Sequence, residues 1–351
     1  MTEPTTIKRK SNTGLWVFVG VLTFALIGSL LVCAGLAVSL FARNVARINM
    51  SGKAHHLLSH EHPVDEEPTM NEVWSYGHGD AKVARIAVEG AIMRGEEGGF
   101  FDTPVDRVES VLAQIRAAKN DDEIRGIILE VDSPGGGVTP SDEIYSALRE
   151  FKKSDDKRRV VVFMRDLAAS GGYYVSMAGD WLIAEPTTIV GSIGVIMGSM
   201  NFKGLAEKVG VKDVTVKSGK NKDLLNPLTE IDTNQLALLQ KMIDATFERF
   251  FGIVKDSRQI KESTLRELAD GRIFDSGEAL KLRLVDQIGY WDDAVEKMSA
   301  MLGEKDVHVI RYETRMNLLD RLLSAETRAP ALNFENLKQA ARPKVQYLWQ
   351  P

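Results

Sequence analysis

Residues 165–197, RDLAASGGYYVSMAGDWLIAEPTTIVGSIGVIM, contain the motif that decides the fold. The small-residue turn 168–172 directly follows the apolar run 160–164, and the residues after it recur at a helical spacing. A serine in a strand-to-helix turn, here Ser170, lies at the tip of the turn, and the flanking glycines let a substrate carbonyl approach closely. The same short motif is also typical of a serine that only caps the next helix. The surrounding sequence has to decide between the two.

Segments with strand character alternate with segments of helical period around this turn. In chain order we predict strand 83–88, helix 105–118, strand 124–131, helix 141–151, strand 160–164, strand 214–216, and helices 233–257, 263–269 and 292–302. This alternation predicts an α/β fold with a mostly parallel sheet, in which sites form at the carboxyl ends of strands. Glycines 135–137 and Ser170 both follow such ends, so we expect them on the same side of the molecule.

The composition limits the chemistry. The 351 residues are 26% charged and 44% hydrophobic, enough for one large or two small domains. The net charge of −5 and the lack of a basic block give no reason to expect nucleic acid. Cys33 is the single cysteine, which excludes intrachain disulfides and a thiol nucleophile in the folded body. No histidine lies between residues 79 and 307, so a general base there is expected to be another residue type.

The amino-terminal region predicts a membrane anchor. The uncharged run 14–42 is longer than the about 20 residues that a helix needs to cross a bilayer. Basic residues 8–10 precede it, so the positive-inside rule places residues 1–13 in the cytoplasm and the rest of the chain outside. A cleavable signal peptide is the alternative, although its apolar core is usually only about 7–15 residues long.

Residues 43–81 are polar and predict a linker between the membrane and a body at 82–302, which an arm at 303–351 follows. The linker histidines can in principle chelate a metal, but no cysteine or ordered scaffold supports them, and we expect no metal site. They are His55, His56, His60 and His62.

Amide hydrolysis requires a nucleophile, a base and donors for the developing oxyanion. Ser170 can be the nucleophile, and the amide of Gly171, with that of Gly136 or Gly137, can supply the donors. The base must then be a carboxylate or a lysine whose pKa is lowered by desolvation. The residues alone do not choose among the lysine candidates Lys217, Lys220 and Lys222.

Five sequence blocks carry a resemblance to a known family. In order they are DSPGGGV, AASGGYYV, TTIVGSIGVI, VKSGKNKDLLNP, and GRIF followed by LRLVDQIG. Over residues 82–302 the chain closely resembles the signal peptide peptidase A (SppA) family. These are membrane-anchored serine peptidases, and the resemblance implies a ClpP/crotonase-type fold with stacked β-sheets and flanking helices.

The resemblance also implies roles for particular residues. Ser170 corresponds to the nucleophile and Lys222, which precedes Asp223, to the general base. The DSPGGG loop implies Gly136 as an oxyanion donor beside Gly171, with Gly137 as the near alternative. Ser192 is a candidate to orient the lysine amine, or else forms a turn hydrogen bond. No cofactor is implied. Asp166, just before the serine turn, departs from the family pattern.

The single copy of the domain resembles the short form of the family. That form implies a homo-octameric ring in which serine and lysine come from neighbouring subunits, acting on hydrophobic remnant signal peptides. The alternatives are a crotonase-type acyl-CoA enzyme and a non-catalytic membrane scaffold. The apolar end from Val345 onward is expected to be extended, and we hypothesise that it enters a neighbour's groove as a substrate mimic or processing site.

Overall fold

The structure, a computed structural model, describes residue 68 and residues 70–97, 105–314 and 345–349. The expected membrane helix 14–42 and the linker histidines up to His62 lie outside the described residues. In the part of the chain that is described, no helix is both long enough and apolar enough to cross a bilayer.

Strands and helices alternate along the chain. The strands are β1 Met70–Tyr76, β2 Ala81–Glu89, β3 Glu96–Glu97, β4 Val105–Asp106, β5 Ile124–Ser133, β6 Gly135–Gly137, β7 Arg159–Ala169, β8 Trp181–Ala184, β9 Ile189–Gly191, β10 Ile196–Met197, β11 Ile273–Asp275, β12 Gln287–Ile288, β13 Val307–Thr314 and β14 Val345–Leu348. The helices are α1 Arg107–Asn120, α2 Val138–Ser154, α3 Gly171–Ser176, α4 Lys203–Val209, α5 Thr233–Arg258, α6 Glu262–Leu268, α7 Ser276–Lys281 and α8 Trp291–Leu302.

The main sheet has the strand order β1-β13-β2-β5-β7-β8-β12, and β9 pairs with both β7 and β11. The pairings β13–β2, β2–β5, β5–β7, β7–β8 and β8–β12 are parallel, while β1 and β11 pair antiparallel. The predicted α/β class with a mostly parallel sheet is therefore confirmed. Because β5 and β7 are parallel neighbours, the loops that follow them meet at one edge of the sheet.

The sheet is covered on both faces. In β5, Ile127 and Leu129 belong to the core beneath α1, α2 and α3, whereas Ile128 packs in the second core with Met298 of α8. All four side chains are fully buried. Burial of alternate residues on opposite faces explains why these strands are continuous apolar runs rather than alternating ones.

The sheet extends beyond the expected limits of 82–302. Strand β1 lies in the expected polar linker and pairs with β13, which lies in the expected carboxyl-terminal arm. Val307, Val309 and Ile310 of β13 are buried against the body. These apolar side chains are what join β13, and β1 beside it, to the sheet.

The predicted strand at 214–216 was wrong. The segment has no regular structure, and Val214 and Val216 are 87% and 98% exposed. β-branched residues favour a pleated, half-buried surface, and here no neighbouring strand offers one.

A buried ion pair joins the end of α5 to the sheet. Arg258, whose side chain is 8% exposed, donates to both carboxylate oxygens of Asp286 at 2.7 and 2.9 Å. Asp286 also accepts the Leu182 amide of β8 at 2.8 Å, and Arg258 Nε donates to the Arg283 carbonyl at 2.8 Å. Removing the carboxylate would leave the buried cation without its counter-charge and the Leu182 amide without this acceptor.

We therefore expect Asp286→Ala to lower the free energy of unfolding by about 3–5 kcal/mol. The control is Glu313→Gln, which breaks the exposed pair between Arg311 and Glu313 and should cost no more than about 1 kcal/mol. Urea unfolding of the full chain followed by circular dichroism measures both. Equal effects would show that the Arg258 pair does not hold α5 against the sheet.

Candidate active site

Ser170 lies at the carboxyl end of β7 and directly before α3. Its backbone has φ 52° and ψ −114°, a conformation rare for a residue with a side chain. Its amide donates to the Gly191 carbonyl at 2.8 Å, and its carbonyl accepts the Tyr174 amide at 2.8 Å. The hydroxyl makes no capping hydrogen bond, so the capping alternative does not hold. The turn holds Ser170 in the strained geometry typical of a presented nucleophile.

The glycine loop after β5 lies against the serine turn at very close range. A methyl group on Gly171 would fall 2.6 Å from Ser141 Oγ and 3.1 Å from the amide nitrogen of Gly136. One on Gly135, whose φ is 94°, would fall 2.4 Å from the Gly171 amide nitrogen. Only glycines allow the two loops to approach this closely, and the approach places the amides of Gly136 and Gly171 side by side.

The two candidate amides of this loop differ in their hydrogen bonding. The Gly137 amide donates to the Ile92 carbonyl at 2.8 Å and is therefore occupied. The Gly136 amide takes no part in that hydrogen bond and lies on the edge of β6 that pairs with β14. The geometry thus favours Gly136 over Gly137 as an oxyanion donor, the choice that the sequence left open.

An extended segment of the chain occupies the groove beside Ser170. Strand β14 pairs antiparallel with β6 on one side and with β10 on the other. Gln346 is opposite both Gly137 and Ile196. The predicted extended carboxyl-terminal end is confirmed for residues 345–348, and it fills the place where a peptide strand can be added between two edges.

The carbonyl of Tyr347 points to the glycine amides. The backbone amide of Trp349 donates to the Pro134 carbonyl at 2.9 Å, so these two residues form a hydrogen-bonded pair between β14 and β6 as the strands continue. Such pairs alternate in antiparallel strands, so Tyr347 and Gly136 form the next one, with the Gly136 amide donating to Tyr347. A methyl group on Gly135 would lie only 2.1 Å from the same carbonyl oxygen. The oxygen therefore lies on the side of Gly135 where the Gly171 amide is found.

Ser192 is close to Ser170 through the backbone. It directly follows Gly191, whose carbonyl accepts from Ser170, and it has φ 51° and is 6% exposed. Its own amide donates to the Arg272 carbonyl at 2.8 Å. This bond continues the pairing of β9 with β11 and does not involve the hydroxyl, so the lysine-orienting role of Ser192 stays a prediction.

The three candidate lysines lie in an exposed segment of the chain. Lys217 pairs with Asp223 at 2.6 Å, and this hydrogen bond lowers the pKa of Asp223. Lys222 is exposed in a turn, where its amide donates to the Gly219 carbonyl at 3.1 Å. Within the described residues, no hydrogen bond or ion pair joins the side chain of Lys222 to Ser170. The described contacts therefore join the serine turn to the glycine loop, and the role of Lys222 stays a prediction.

Asp166 acts electrostatically on a neighbouring carboxyl group. Burial, and next the negative charge of Asp166, raise the pKa of Asp132, which begins the DSPGGG motif. The departure from the family pattern thus changes the charge balance at the base of the glycine loop.

Comparison with known proteins agrees with this geometry. Residues 152–305 match the family model described as peptidase family S49, and residues 99–188 match that of Clp protease. An Enterococcus faecium protein, provisionally named signal peptide peptidase SppA, is 35% identical over 70% of this chain and 70% of its own length. The chain belongs to peptidase family S49.

Other relatives are similar to this chain as well. A provisionally named protease of Synechocystis sp. is 35% identical over 63% of this chain and 75% of its own length. A chloroplast serine protease, SPPA, of Arabidopsis thaliana is 30% identical over 62% of this chain and 32% of its own length. With these relatives and its ClpP-like α/β fold, this S49 chain is a serine peptidase.

Sequence reasoning missed Ser141 as part of the site. Its hydroxyl donates to the Gly137 carbonyl at 2.8 Å and packs against Gly171. The available signal was its place in the first turn of α2, four residues after Gly137. A hydroxyl there can bond back to a carbonyl one turn earlier.

We expect Gly171→Ala to reduce peptidase activity by at least about 100-fold, since one lost oxyanion donor costs about 10²–10³ in kcat. The added methyl would push against Ser141 Oγ and the Gly136 amide. Gly252→Ala is the control, because a methyl there meets no atom within 4 Å. Hydrolysis of a casein-type protein substrate, with circular dichroism to check folding, measures both. Near-normal activity of folded Gly171→Ala would contradict the assignment of this contact to the site.

Proposed function

We propose that the protein is a membrane-tethered serine endopeptidase that hydrolyses hydrophobic peptides, specifically remnant signal peptides, with Ser170 and Lys222 as a catalytic dyad. The observation that carries the proposal is the peptide strand between β6 and β10, whose Tyr347 carbonyl lies against the Gly136 edge. An extended substrate in the same place would present its own carbonyl to the Gly136 and Gly171 amides and to Ser170.

The chemistry follows from these positions. Ser170 Oγ attacks the carbonyl carbon while the Lys222 amine takes the hydroxyl proton. The Gly136 and Gly171 amides stabilise the oxyanion, which is usually the largest catalytic contribution. Collapse of the intermediate breaks the C–N bond, and the lysine returns the proton to the leaving amine. Water then hydrolyses the ester, with the lysine again acting as base.

The position of Lys222 supports an assembly in which neighbouring chains complete each site. A lysine in water holds its proton at neutral pH, so a base function requires that its amine be desolvated. Lys222 is exposed in the single chain. Of the 17 exposed large hydrophobic residues in the described part, 12 lie between residues 196 and 242, on either side of Lys222. Such a concentration is typical of an interface between proteins.

We therefore extend the proposal to a homo-octameric ring, in which this segment of one chain covers the groove of the next and delivers Lys222 to its Ser170. Ser192, next to the Gly191 carbonyl that accepts from Ser170, would accept a hydrogen bond from the delivered amine. Contact with the neighbour would supply the desolvation that the isolated chain lacks.

The membrane part of the proposal rests on residues 14–42 and on the signal peptide peptidase name of the Enterococcus faecium relative. The anchor would cross the membrane once, with residues 1–13 in the cytoplasm and the peptidase outside. That position would give the groove access to signal peptides left in the bilayer.

The acyl-CoA and scaffold alternatives are disfavoured by the same observations. The groove holds an extended peptide strand rather than a compact cofactor pocket. The matched family and the named relatives are proteases.

Both members of the dyad should be essential. Ser170→Ala and Lys222→Ala should each lose at least about 10³-fold in kcat on a quenched hydrophobic signal-peptide substrate, because the nucleophile or its base is gone. Lys220→Ala, in the same exposed segment, should remain near wild type. Mixing the two inactive variants and allowing subunit exchange should restore activity, because a neighbour can contribute the missing group.

Two results would contradict the dyad. Wild-type activity of Ser170→Ala would remove the peptidase assignment to this serine, and near-normal activity of Lys222→Ala would move the base role to Lys220 or a carboxylate. Recovery on mixing is the result specific to shared sites. If exchange of labelled subunits is observed without recovery, the dyad lies within one chain.

For the anchor, we expect the full chain to stay with membranes after an alkaline carbonate wash, because about 20 buried apolar residues resist extraction. Lys305→Arg is the control, since it keeps the charge of an exposed residue. Replacing Leu26 and Leu30 by arginine should release the protein into the wash. Release of the wild-type chain would exclude a spanning anchor.

A further inference from the structure

The groove contains a closed aromatic subsite that Tyr347 fills. Tyr347 is 0% exposed, and its ring stacks on Tyr174 with centroids 4.9 Å apart and an angle of 23°. Phe250 of α5 packs against both rings, with its centroid 4.9 Å from that of Tyr347 and 5.1 Å from that of Tyr174. The Tyr347 hydroxyl donates to the Thr246 carbonyl at 3.1 Å, one turn earlier in α5. The subsite therefore offers two aromatic walls and one hydrogen-bond acceptor at its end.

Polar contacts hold the walls in place. The Tyr174 hydroxyl donates to Asp142 of α2 at 2.5 Å, and Arg249 of α5 donates to the same carboxylate at 2.6 Å. Tyr145 packs edge-on against Tyr174 at 5.4 Å. Because α2, α3 and α5 all contribute, the Tyr174 ring cannot turn aside without breaking these contacts. These contacts hold the walls without involving Tyr347, and walls held in this way favour a selective shape.

The subsite belongs to the residue whose carbonyl faces the glycine amides. The side chain of Tyr347 fills the pocket, while its carbonyl is paired with Gly136 and lies beside Gly135. In a substrate bound the same way, the pocket would hold the residue on the amino side of the bond that is cut.

We infer that this subsite makes the enzyme selective for tyrosine immediately before the cleaved bond. Tyr174 and Phe250 favour an aromatic ring there, and the Thr246 carbonyl favours a hydrogen-bond donor at the tip of that ring. The inference rests on the proposed function and names its preferred substrate. The Asp142 carboxylate beside the pocket also disfavours acidic side chains there.

The expected selectivity is moderate. The Thr246 carbonyl lies inside α5 and has a helical partner as well, so it is not left unpaired when the phenol is missing. Phenylalanine should therefore be cut about three- to tenfold less efficiently than tyrosine. Leucine loses the ring contacts too, so the efficiency of cleavage after leucine should be lower by a further factor of about three to ten.

The test uses the full-length chain and hydrophobic peptides identical except at one position. That position carries tyrosine, 4-aminophenylalanine, phenylalanine, O-methyltyrosine or leucine. Pairs of peptides compete in one reaction, so their ratio of kcat/KM is independent of any competition from the chain's own residues 345–349. Mass spectrometry identifies the bond that is cut.

We expect a higher kcat/KM for the peptides with tyrosine and 4-aminophenylalanine, which have a donor, than for the peptide with phenylalanine. O-methyltyrosine has no donor and is longer, so its peptide should have a lower kcat/KM than the phenylalanine peptide. Cleavage should follow the variable residue. Phe250→Leu should reduce the tyrosine-to-leucine ratio by about three- to tenfold. Phe247→Leu is the matched control on the same helix, because its ring packs on Phe251 rather than on Tyr347, and it should leave the ratio unchanged.

A flat preference across the peptides, or cleavage at another bond, with hydrolysis still dependent on Ser170, would overturn the inference and leave the proposed function standing. No Ser170-dependent hydrolysis of any peptide would overturn both. The wild-type series distinguishes these outcomes even if Phe250→Leu fails to fold.

Discussion

The site depends on the close approach of two backbone loops. Strands β5 and β7 are parallel neighbours, so the chain must turn at the same edge after each of them. The turns can coexist only because Gly135 and Gly171 have no side chains, since a methyl on either would fall within 2.6 Å of another atom. This contact places Ser170, the proposed nucleophile, beside the two backbone amides proposed as oxyanion donors, without any mobile side chain having to move. Donors that are fixed in advance need not reorganise during the reaction.

The strain at Ser170 is supported by structure on both sides. A positive φ at a residue with a side chain costs on the order of 1–3 kcal/mol, and here the β9 carbonyl of Gly191 and the first turn of α3 hold it. The same helix presents Tyr174 to the aromatic subsite. Nucleophile and subsite wall are therefore four residues apart on one rigid element. Any shift of the serine would also shift the wall against which a substrate packs.

The proposed catalytic groups differ in how firmly a single chain holds them. Serine, glycines and aromatic walls come from buried elements, whereas Lys222 lies in an exposed segment rich in uncovered apolar residues. This division is physically reasonable for a protease. A base that becomes desolvated only on assembly would keep an unassembled chain inactive, since the serine hydroxyl has no proton acceptor until then.

The local pattern of the sequence was enough to determine the α/β class, most helices, and the places of Ser170 and the glycine loop, because buried parallel strands are continuous apolar runs and turns require glycine. Three further features needed the tertiary structure. Gly137 was excluded as an oxyanion donor because its amide donates to Ile92. Strands β1 and β13 joined the sheet through pairing between distant parts of the chain. Residues 214–216 did not form a strand because no sheet edge was there to pair with them. The position of residues 345–348 between β6 and β10 was likewise decided by tertiary contacts. Each depends on which partner lies opposite a backbone group, and sequence periodicity describes only a segment's own faces.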